Sequence, residues 1–164
     1  MSIEMMALRI VHLVGGVFWV GAVFFIAYFL QPTMQQAGPA AAGPIMMGLH
    51  QRKLFTIVPL VAVISILAGF RMMQIVSGGF LTDYFWTSAG RWYAFSSVPV
   101  LIGFFVGVFI GRPAMLKSIT LATEDREKHK DQIMALQLRS ALAMRFTASM
   151  LALGLVGMAI ARYL

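Results

Sequence analysis

The chain has 164 residues, of which 60% are hydrophobic and only 12% are charged. This charged share is about half that of a soluble domain, and it indicates a membrane protein. The chain has no cysteine, which excludes disulfides, thiolate metal sites and iron–sulfur clusters. Its net charge is +7, and the basic residues lie beside long apolar stretches. Basic residues in such places meet lipid headgroups, so we expect membrane lipid and no nucleic acid as a partner.

Four stretches of the sequence are long and apolar enough to cross a bilayer. A hydrocarbon core of about 30 Å needs a helix of about 17–25 apolar residues. Backbone polar groups in lipid must be satisfied within the segment, so each span is expected to be helical. We therefore predict an all-α integral membrane four-helix bundle, formed by residues 1–164 as a single domain. The predicted spans are residues 10–30, 54–78, 94–111 and 146–161.

The distribution of basic residues predicts the orientation of the bundle. The connections between spans 1 and 2 and between spans 3 and 4 share one face, which holds nine of the 13 Lys and Arg residues. Cytoplasmic connections are enriched in Lys and Arg, so this face is predicted to be cytoplasmic and both termini external. We expect a bacterial-type inner (plasma) membrane. The nine residues are Arg52, Lys53, Arg112, Lys117, Arg126, Lys128, Lys130, Arg139 and Arg145; the other four are Arg9, Arg71, Arg91 and Arg162.

Both cytoplasmic connections carry local signals. Residues 35–44, QQAGPAAAGP, are rich in Gly, Pro and Ala, which predicts a turn. Thr123 followed by Glu124 and Asp125 is typical of a helix start, with acidic side chains at the positive end of the helix dipole. No Gly or Pro follows until Gly154, so one helix is predicted to run from Thr123 into the membrane. Spans 3 and 4 then extend into the cytoplasm, as a solvated hairpin or as a docking surface for a protein partner.

Small residues predict where the helices pack. Gly103, Gly107 and Gly111 recur every four residues and therefore share one face of span 3. Lipid tails are as apolar as leucine, so close backbone approach along small residues is a main source of helix association. We predict that this row packs within the bundle instead of against a second copy of the chain.

His12 and Arg71 are the candidate functional residues within the spans. His12 shares a helical stripe with Gly15, Gly16 and Trp19, which predicts that it faces the bundle. Arg71 lies about two turns from the outer end of span 2, at a depth similar to that of His12. Ionisable groups inside a membrane are costly and often functional. Two interpretations stay open: both side chains bind a ligand, or Arg71 reaches the headgroups while His12 bonds a carbonyl or a serine hydroxyl.

Methionines lie toward the same outer end and indicate a metal or haem site. Thioethers and imidazole suit Cu(I), and histidine with methionine is an accepted axial pair for haem. Methionine is also an ordinary filler of apolar interiors, so a structural role stays open. The candidate metal ligands are His12, Met5, Met72 and Met73, and the candidate cofactor-binding residues are His12, Arg71 and Trp19. The two remaining histidines, His50 and His129, are predicted to be solvated surface residues.

The segment LRIVHLVGGVFWVGAVFFIAYFL resembles the first helix of the membrane domain of CopD-like copper-resistance proteins. That helix pairs an early histidine with a tryptophan–small–glycine group two turns later, here His12 and Trp19-Val20-Gly21. The order of parts is also similar to that of HemJ-type protoporphyrinogen oxidases, which are four-helix haem proteins. Arg52-Lys53-Leu54 resembles their Arg-Lys-Leu segment. Residues 94–111 contain no histidine, so His12 alone carries over as a ligand.

These observations lead to three hypotheses of function. The first is binding or handling of a metal or haem at an outer-facing pocket around His12 and Arg71, with no catalytic residue assigned. The second is a non-catalytic auxiliary subunit that packs against a larger membrane complex, which is then the protein partner. The third is a haem-dependent membrane oxidoreductase. The candidate cofactors are haem b and copper.

Overall fold

The computed structural model describes residues 2–161 and 163, apart from the side chains of residues 39 and 82. Arg162, counted above on the outer face, lies outside the described residues. The described residues form helices and no strands. In chain order they are α1 (Ile3–Phe25), a first π-helical segment (Ile26–Leu30), α2 (Gln31–Gln51), α3 (Leu54–Val76), α4 (Leu81–Phe85), α5 (Ser88–Val106), a second π-helical segment (Gly107–Gly111), α6 (Arg112–Glu124) and α7 (Lys130–Ala161).

Four long helical rods dominate this arrangement, and each is long and apolar enough to cross a membrane, as predicted. The rods are Ile3–Gly38, Leu54–Val76, Ser88–Glu124 and Lys130–Ala161. The third rod has 37 residues. At 1.5 Å per residue it is about 55 Å long, well beyond the hydrocarbon core of about 30 Å. It is therefore longer than a single crossing needs.

The rods form two antiparallel hairpins that pack side by side, α1 with α3 and α5 with α7. We call the end that carries residues 2–9, 70–91 and 158–161 the terminal end, and the end that carries residues 31–53 and 112–139 the loop end. The main core lies between the two hairpins, and a smaller core joins α2 to α6 at the loop end. The main core contains Trp19, Val23, Ala27, Val58, Ala62, Ala148 and Leu151, and the smaller one contains Met34, Met46 and Met115.

Each hairpin contains a π-helical segment just before a proline. Pro32 and Pro113 are the second residues of α2 and α6. Proline has no N–H for the carbonyl four residues earlier, and its ring crowds that carbonyl. The carbonyls concerned belong to Tyr28 and Phe109, and both residues lie within the π-helical segments. The widened turns therefore let both rods continue through a proline. In both hairpins a long helix is followed by a π-helical segment and then by a helix with proline as its second residue.

The turn predicted over residues 35–44 is reduced to a kink at one residue. These residues belong to α2, and Gly38 interrupts the helix with φ 76° and ψ 174°. Only glycine adopts such a conformation without steric cost. The sharper change of direction comes later, where Lys53 has φ 59° and α3 begins at the next residue.

The helix start predicted at Thr123 is wrong. Thr123 lies near the end of α6, and its hydroxyl donates to the Thr120 carbonyl at 2.7 Å. The helix ends at Asp125, which is extended, and the Asp125 carboxylate accepts a hydrogen bond from the Lys128 N–H at 3.1 Å. Such a side chain offers the backbone an alternative to the helical bond, which favours a turn. The fourth rod therefore begins only at Lys130.

In both hairpins a serine of one helix packs against a glycine of the other. The glycine is on the first helix in the first hairpin and on the second helix in the second hairpin. In the first hairpin Ser65 of α3 lies against Gly15 of α1, where an added Cβ would be 3.3 Å from the Ser65 Cβ. In the second hairpin the serine is Ser96 on α5, and it lies against Gly157 of α7. An added Cβ at Gly157 would collide with the Ser96 hydroxyl. Small residues thus bring the backbones together in both hairpins.

The glycine row of α5 and the second π-helical segment packs against α7, as predicted. A Cβ added to Gly103 would lie 3.1 Å from the Met150 Cβ. A Cβ added to Gly107 would lie 3.3 Å from the Thr147 hydroxyl. At Gly111 it would lie 3.4 Å from the Ala143 Cβ. The Thr147 hydroxyl also donates to the Gly103 carbonyl at 3.1 Å. The row therefore belongs to the interior of this bundle.

Candidate functional site

His12 is held against α3 by two reciprocal hydrogen bonds with Ser65. The His12 Nδ1 lies 2.8 Å from the Ser65 carbonyl oxygen. The Ser65 hydroxyl donates to the His12 carbonyl at 2.9 Å. Ser65 is 2% exposed, so neither group of Ser65 has access to water. This is the carbonyl bond that the sequence analysis left open as one of two roles for His12.

The bond decides which ring nitrogen of His12 carries hydrogen. A backbone carbonyl only accepts hydrogen bonds, so Nδ1 must be the donor. In the neutral imidazole, Nε2 then keeps its lone pair. Histidine ligands of metals commonly have this arrangement, in which a second acceptor fixes the tautomer and the ring orientation. If His12 holds a metal, Nε2 is therefore the nitrogen that binds it.

Gly69 provides the space that the imidazole occupies. It lies one turn beyond Ser65 on α3, and an added Cβ would be 3.0 Å from His12 Cε1 and 3.1 Å from Nδ1. The ring thus packs directly on the α3 backbone. Any larger residue at this position would push the imidazole away from the Ser65 carbonyl.

The candidate methionines continue the same interface toward the terminal end. Met72 and Met73 follow Gly69 by three and four residues, so they lie one turn further along that face of α3. Both are half-buried, and Met5, two turns before His12 on α1, is 8% exposed. Within the described part of the chain, no three side chains among His, Cys, Asp and Glu form a metal-binding group. The methionine thioethers are outside that set and stay the candidate partners of His12.

Arg71 forms an ion pair with Glu4 that the sequence analysis missed. The Arg71 Nη2 and Nε each lie 2.8 Å from the Glu4 Oε1. The two side chains are 51% and 53% exposed, so the pair lies at the surface of the terminal end. The sequence did hold a signal for this pair: Glu4 is near the start of the first span and Arg71 near the end of the second, so antiparallel packing brings them to the same end of the bundle. A carboxylate partner leaves Arg71 less available for an anionic ligand.

Trp19 lies apart from His12, in the wall of an internal cavity. It is 5% exposed and meets the Phe104 ring edge to face, with ring centroids 5.9 Å apart. The cavity has a volume of about 70 Å³ and is bordered by both π-helical segments and by α1, α3, α5, α6 and α7. His12 and Arg71 are not among its described lining residues. The structure therefore separates Trp19 from the other two candidate cofactor-binding residues.

Arg112 and Ser140 also line this cavity, and the sequence analysis did not single them out. The Arg112 Nε donates to the Phe55 carbonyl at 2.7 Å. Pro59, four residues after Phe55, has no N–H to fill the usual helical bond to that carbonyl. The sequence signal for this bond was Pro59, because a proline leaves the carbonyl four residues earlier without its helical donor. The Ser140 hydroxyl is buried and has no hydrogen-bond partner among the described residues.

The remaining histidines lie at the loop end. His50 is exposed near the end of α2, and its ring stacks on Phe55 with centroids 6.4 Å apart. His129 is half-buried just before α7, and its N–H donates to the Asp125 carbonyl at 3.2 Å. Comparison of the chain with protein-family models, with curated proteins and with solved structures finds no match. The case for a function therefore depends on the geometry of the site.

Proposed function

We propose that this multi-pass membrane protein binds Cu(I) through His12 Nε2, at the interface between α1 and α3 near the terminal end. The observation that carries the proposal is the hydrogen bond of 2.8 Å between His12 Nδ1 and the Ser65 carbonyl. In the neutral imidazole this bond puts the hydrogen on Nδ1 and leaves the lone pair on Nε2 for a ligand. Gly69 supports the proposal because its missing side chain leaves room for the ring.

Methionine sulfur would complete the donor set. Soft thioethers together with imidazole select Cu(I) over harder cations. Met5, Met72 and Met73 are buried or half-buried on the two helices that form this interface. When bound, the metal would supply an acceptor for these lone pairs, and the protein would hold it in a reduced, sulfur-rich setting. The role that follows is copper binding and handling.

Haem fits the described interior less well than copper. Pockets that enclose ligands of drug size have volumes of about 300–1,000 Å³. The cavity beside Trp19 measures about 70 Å³, so it does not enclose a haem. A haem would have to be held at the lipid-facing surface of His12, with Arg71 beside a propionate. Because Arg71 already pairs with Glu4, this alternative has weaker support.

The orientation that we propose places the terminal end outside. The face with the nine basic residues named in the sequence analysis lies toward the cytoplasm, and both termini and the His12 site face the exterior of an inner (plasma) membrane. Under this orientation copper would reach His12 from the external side. The projecting parts of α6 and α7 would lie in the cytoplasm.

Metal and haem content of purified protein tests the proposal. Protein from cells supplied with copper and haem precursor is expected to contain about one copper per chain by elemental analysis and no Soret band. His12→Ala should lose the copper. His50→Ala and His129→Ala are matched controls at the loop end and should keep it. A Soret band lost in His12→Ala would favour the haem-dependent alternative instead.

Ser65→Ala separates a ligand role from a purely structural one. The variant loses the hydroxyl bond to the His12 carbonyl but keeps the backbone carbonyl that accepts from Nδ1. Copper content should therefore persist, while the melting temperature in detergent falls. Wild-type protein with neither copper nor haem would overturn the proposal and favour the auxiliary-subunit hypothesis.

A further inference from the structure

The cavity beside Trp19 has three polar side chains in an otherwise apolar wall, Arg112, Ser140 and Thr147. The Thr147 hydroxyl already donates to the Gly103 carbonyl at 3.1 Å, which leaves Arg112 and Ser140. The apolar lining includes Trp19, Phe104 and Met144. A buried water needs only about 10–15 Å³ of such space. At about 70 Å³ the cavity has room for a group of several heavy atoms. An empty space of this size beside a guanidinium is costly unless something fills it.

Ser140 lines this space and has an unpaired hydroxyl. It is 1% exposed, and its Oγ has no hydrogen-bond partner among the described residues. Two other helix serines bond the carbonyl four residues earlier in their own helix: Ser96 donates to the Trp92 carbonyl and Ser149 to the Arg145 carbonyl. Ser140 does not take that option. A buried donor left without an acceptor is destabilising, so the unpaired Ser140 hydroxyl indicates a missing partner.

Arg112 brings a positive charge to the same cavity. Its Nε is occupied by the Phe55 carbonyl at 2.7 Å, which fixes the plane of the guanidinium. No carboxylate of the described residues lies within ion-pair distance of Arg112. The ion pair seen among those residues joins Arg71 and Glu4, at the terminal end. The two terminal nitrogens of a guanidinium form a fork that matches the oxygens of a phosphate or carboxylate.

We propose that this cavity is a binding site for the phosphate group of an anionic phospholipid. Arg112 donates from its terminal nitrogens, Ser140 donates from its hydroxyl, and the acyl chains lie along the apolar rods outside. Arg112 directly follows the span predicted over residues 94–111, which places it at the depth of lipid phosphates. Basic pockets between membrane helices on the cytoplasmic side favour anionic headgroups. Free phosphate shares this chemistry, but it gains nothing from the apolar surroundings.

Lipid retention measured by native mass spectrometry tests the site. Detergent-purified protein is mixed with phosphatidylglycerol or with phosphatidylcholine of the same acyl chains, and the bound lipid is counted after detergent removal. Wild-type protein should retain phosphatidylglycerol in preference. Loss of a charge-assisted hydrogen bond lowers affinity about tenfold or more, so Arg112→Gln should retain about one tenth as much. Ser140→Ala should show a smaller loss in the same direction.

Arg145→Gln is the matched control, because Arg145 is an exposed arginine on the neighbouring part of α7. It should retain lipid as the wild type does. If Arg145→Gln and Arg112→Gln lose lipid equally, the effect comes from general surface charge and the site is disproved. Should Arg112→Gln fail to fold, unchanged retention in Ser140→Val, which places methyl groups in the cavity, would disprove it instead.

A thermal-shift series distinguishes the source of the phosphate. Phosphatidylglycerol should raise the melting temperature of the wild type more than that of Ser140→Val. Stabilisation by inorganic phosphate alone, without stabilisation by phosphatidylglycerol, would overturn the lipid assignment. Because the cavity does not include His12, these measurements are independent of copper content and of the His12→Ala result.

Discussion

Arg112 donates a hydrogen bond of 2.7 Å to the Phe55 carbonyl, the one acceptor in α3 that Pro59 leaves without its helical donor. A side chain from the opposite hairpin thus repairs a gap in α3. The contact joins the two hairpins at the loop end. It also sets the direction in which the rest of the Arg112 side chain points.

A double-mutant cycle measures this repair. Arg112→Met leaves the Phe55 carbonyl unpaired and should lower the free energy of unfolding by about 1–3 kcal/mol. In a Pro59→Ala background the restored N–H satisfies the carbonyl, so the same change should cost at least about 1 kcal/mol less. Unfolding in detergent without added lipid gives all four values. Equal costs in the two backgrounds would show that the hydrogen bond contributes nothing to stability.

Gly69→Ala tests the space beneath the imidazole. The added Cβ would lie 3.0 Å from His12 Cε1, so the ring must shift away from the Ser65 carbonyl. Changes that disturb the outer partner of a ligand cost about 10–100-fold in metal affinity. Copper titration should show such a loss. Gly21→Ala is the control, since an added Cβ there meets nothing within 4 Å. Unchanged copper affinity in Gly69→Ala would contradict the ligand role of His12.

Gly107→Leu tests the glycine row. Its Cβ would already lie 3.3 Å from the Thr147 hydroxyl, and the rest of the side chain would force the helices apart. Overpacking of this kind lowers the free energy of unfolding by about 1–3 kcal/mol. The melting temperature in detergent should fall accordingly. Gly21→Leu adds the same side chain to an open surface and should leave the melting temperature nearly unchanged. Similar values for both variants would mean that the row does not support the fold.

The Arg71–Glu4 ion pair should contribute little to stability. Both side chains are about half exposed (51% and 53%), and surface pairs of this kind contribute about 0–1 kcal/mol. Arg71→Gln is therefore expected to shift the melting temperature only slightly, and the shift should shrink as salt is added. The same variant should keep its copper. Loss of copper in Arg71→Gln would assign Arg71 a role in ligand binding that its pairing with Glu4 does not suggest.

Cysteine labelling tests the proposed orientation in a chain that has no native thiol. A cysteine in place of Glu124, at the loop end, should react with a membrane-impermeant reagent only after the cells are opened. A cysteine in place of the exposed Asp83, at the terminal end, should react in intact cells. The opposite result for the pair would reverse the orientation and place the His12 site in the cytoplasm.

The candidate site was only partly predictable from the sequence. The stripe that His12 shares with Gly15 and Gly16 predicted that it faces the bundle, and Ser65 does pack against that stripe. The choice between a carbonyl and a ligand as its partner was not predictable, because it depends on how α1 and α3 are aligned. The ion pair of Arg71 with Glu4 depends on the same alignment, and the bond from Arg112 to the Phe55 carbonyl depends on how the two hairpins pack. None of these pairs is close in the sequence.

Hydropathy by itself determined the four membrane-spanning helices, because a segment in lipid must satisfy its own backbone and span about 30 Å. Spacing of the glycines likewise determined which face of the third rod packs inward. Only the structure showed where the helices begin and end at the loop end. There water competes for the backbone, so the Asp125 turn and the kink at Gly38 depend on local side-chain bonds and on the packing of α2 against α6. The tertiary structure also decided that His12 and the cavity beside Arg112 are separate sites. The reason is that the register between packed helices sets which side chains meet, and no local sequence pattern encodes that register.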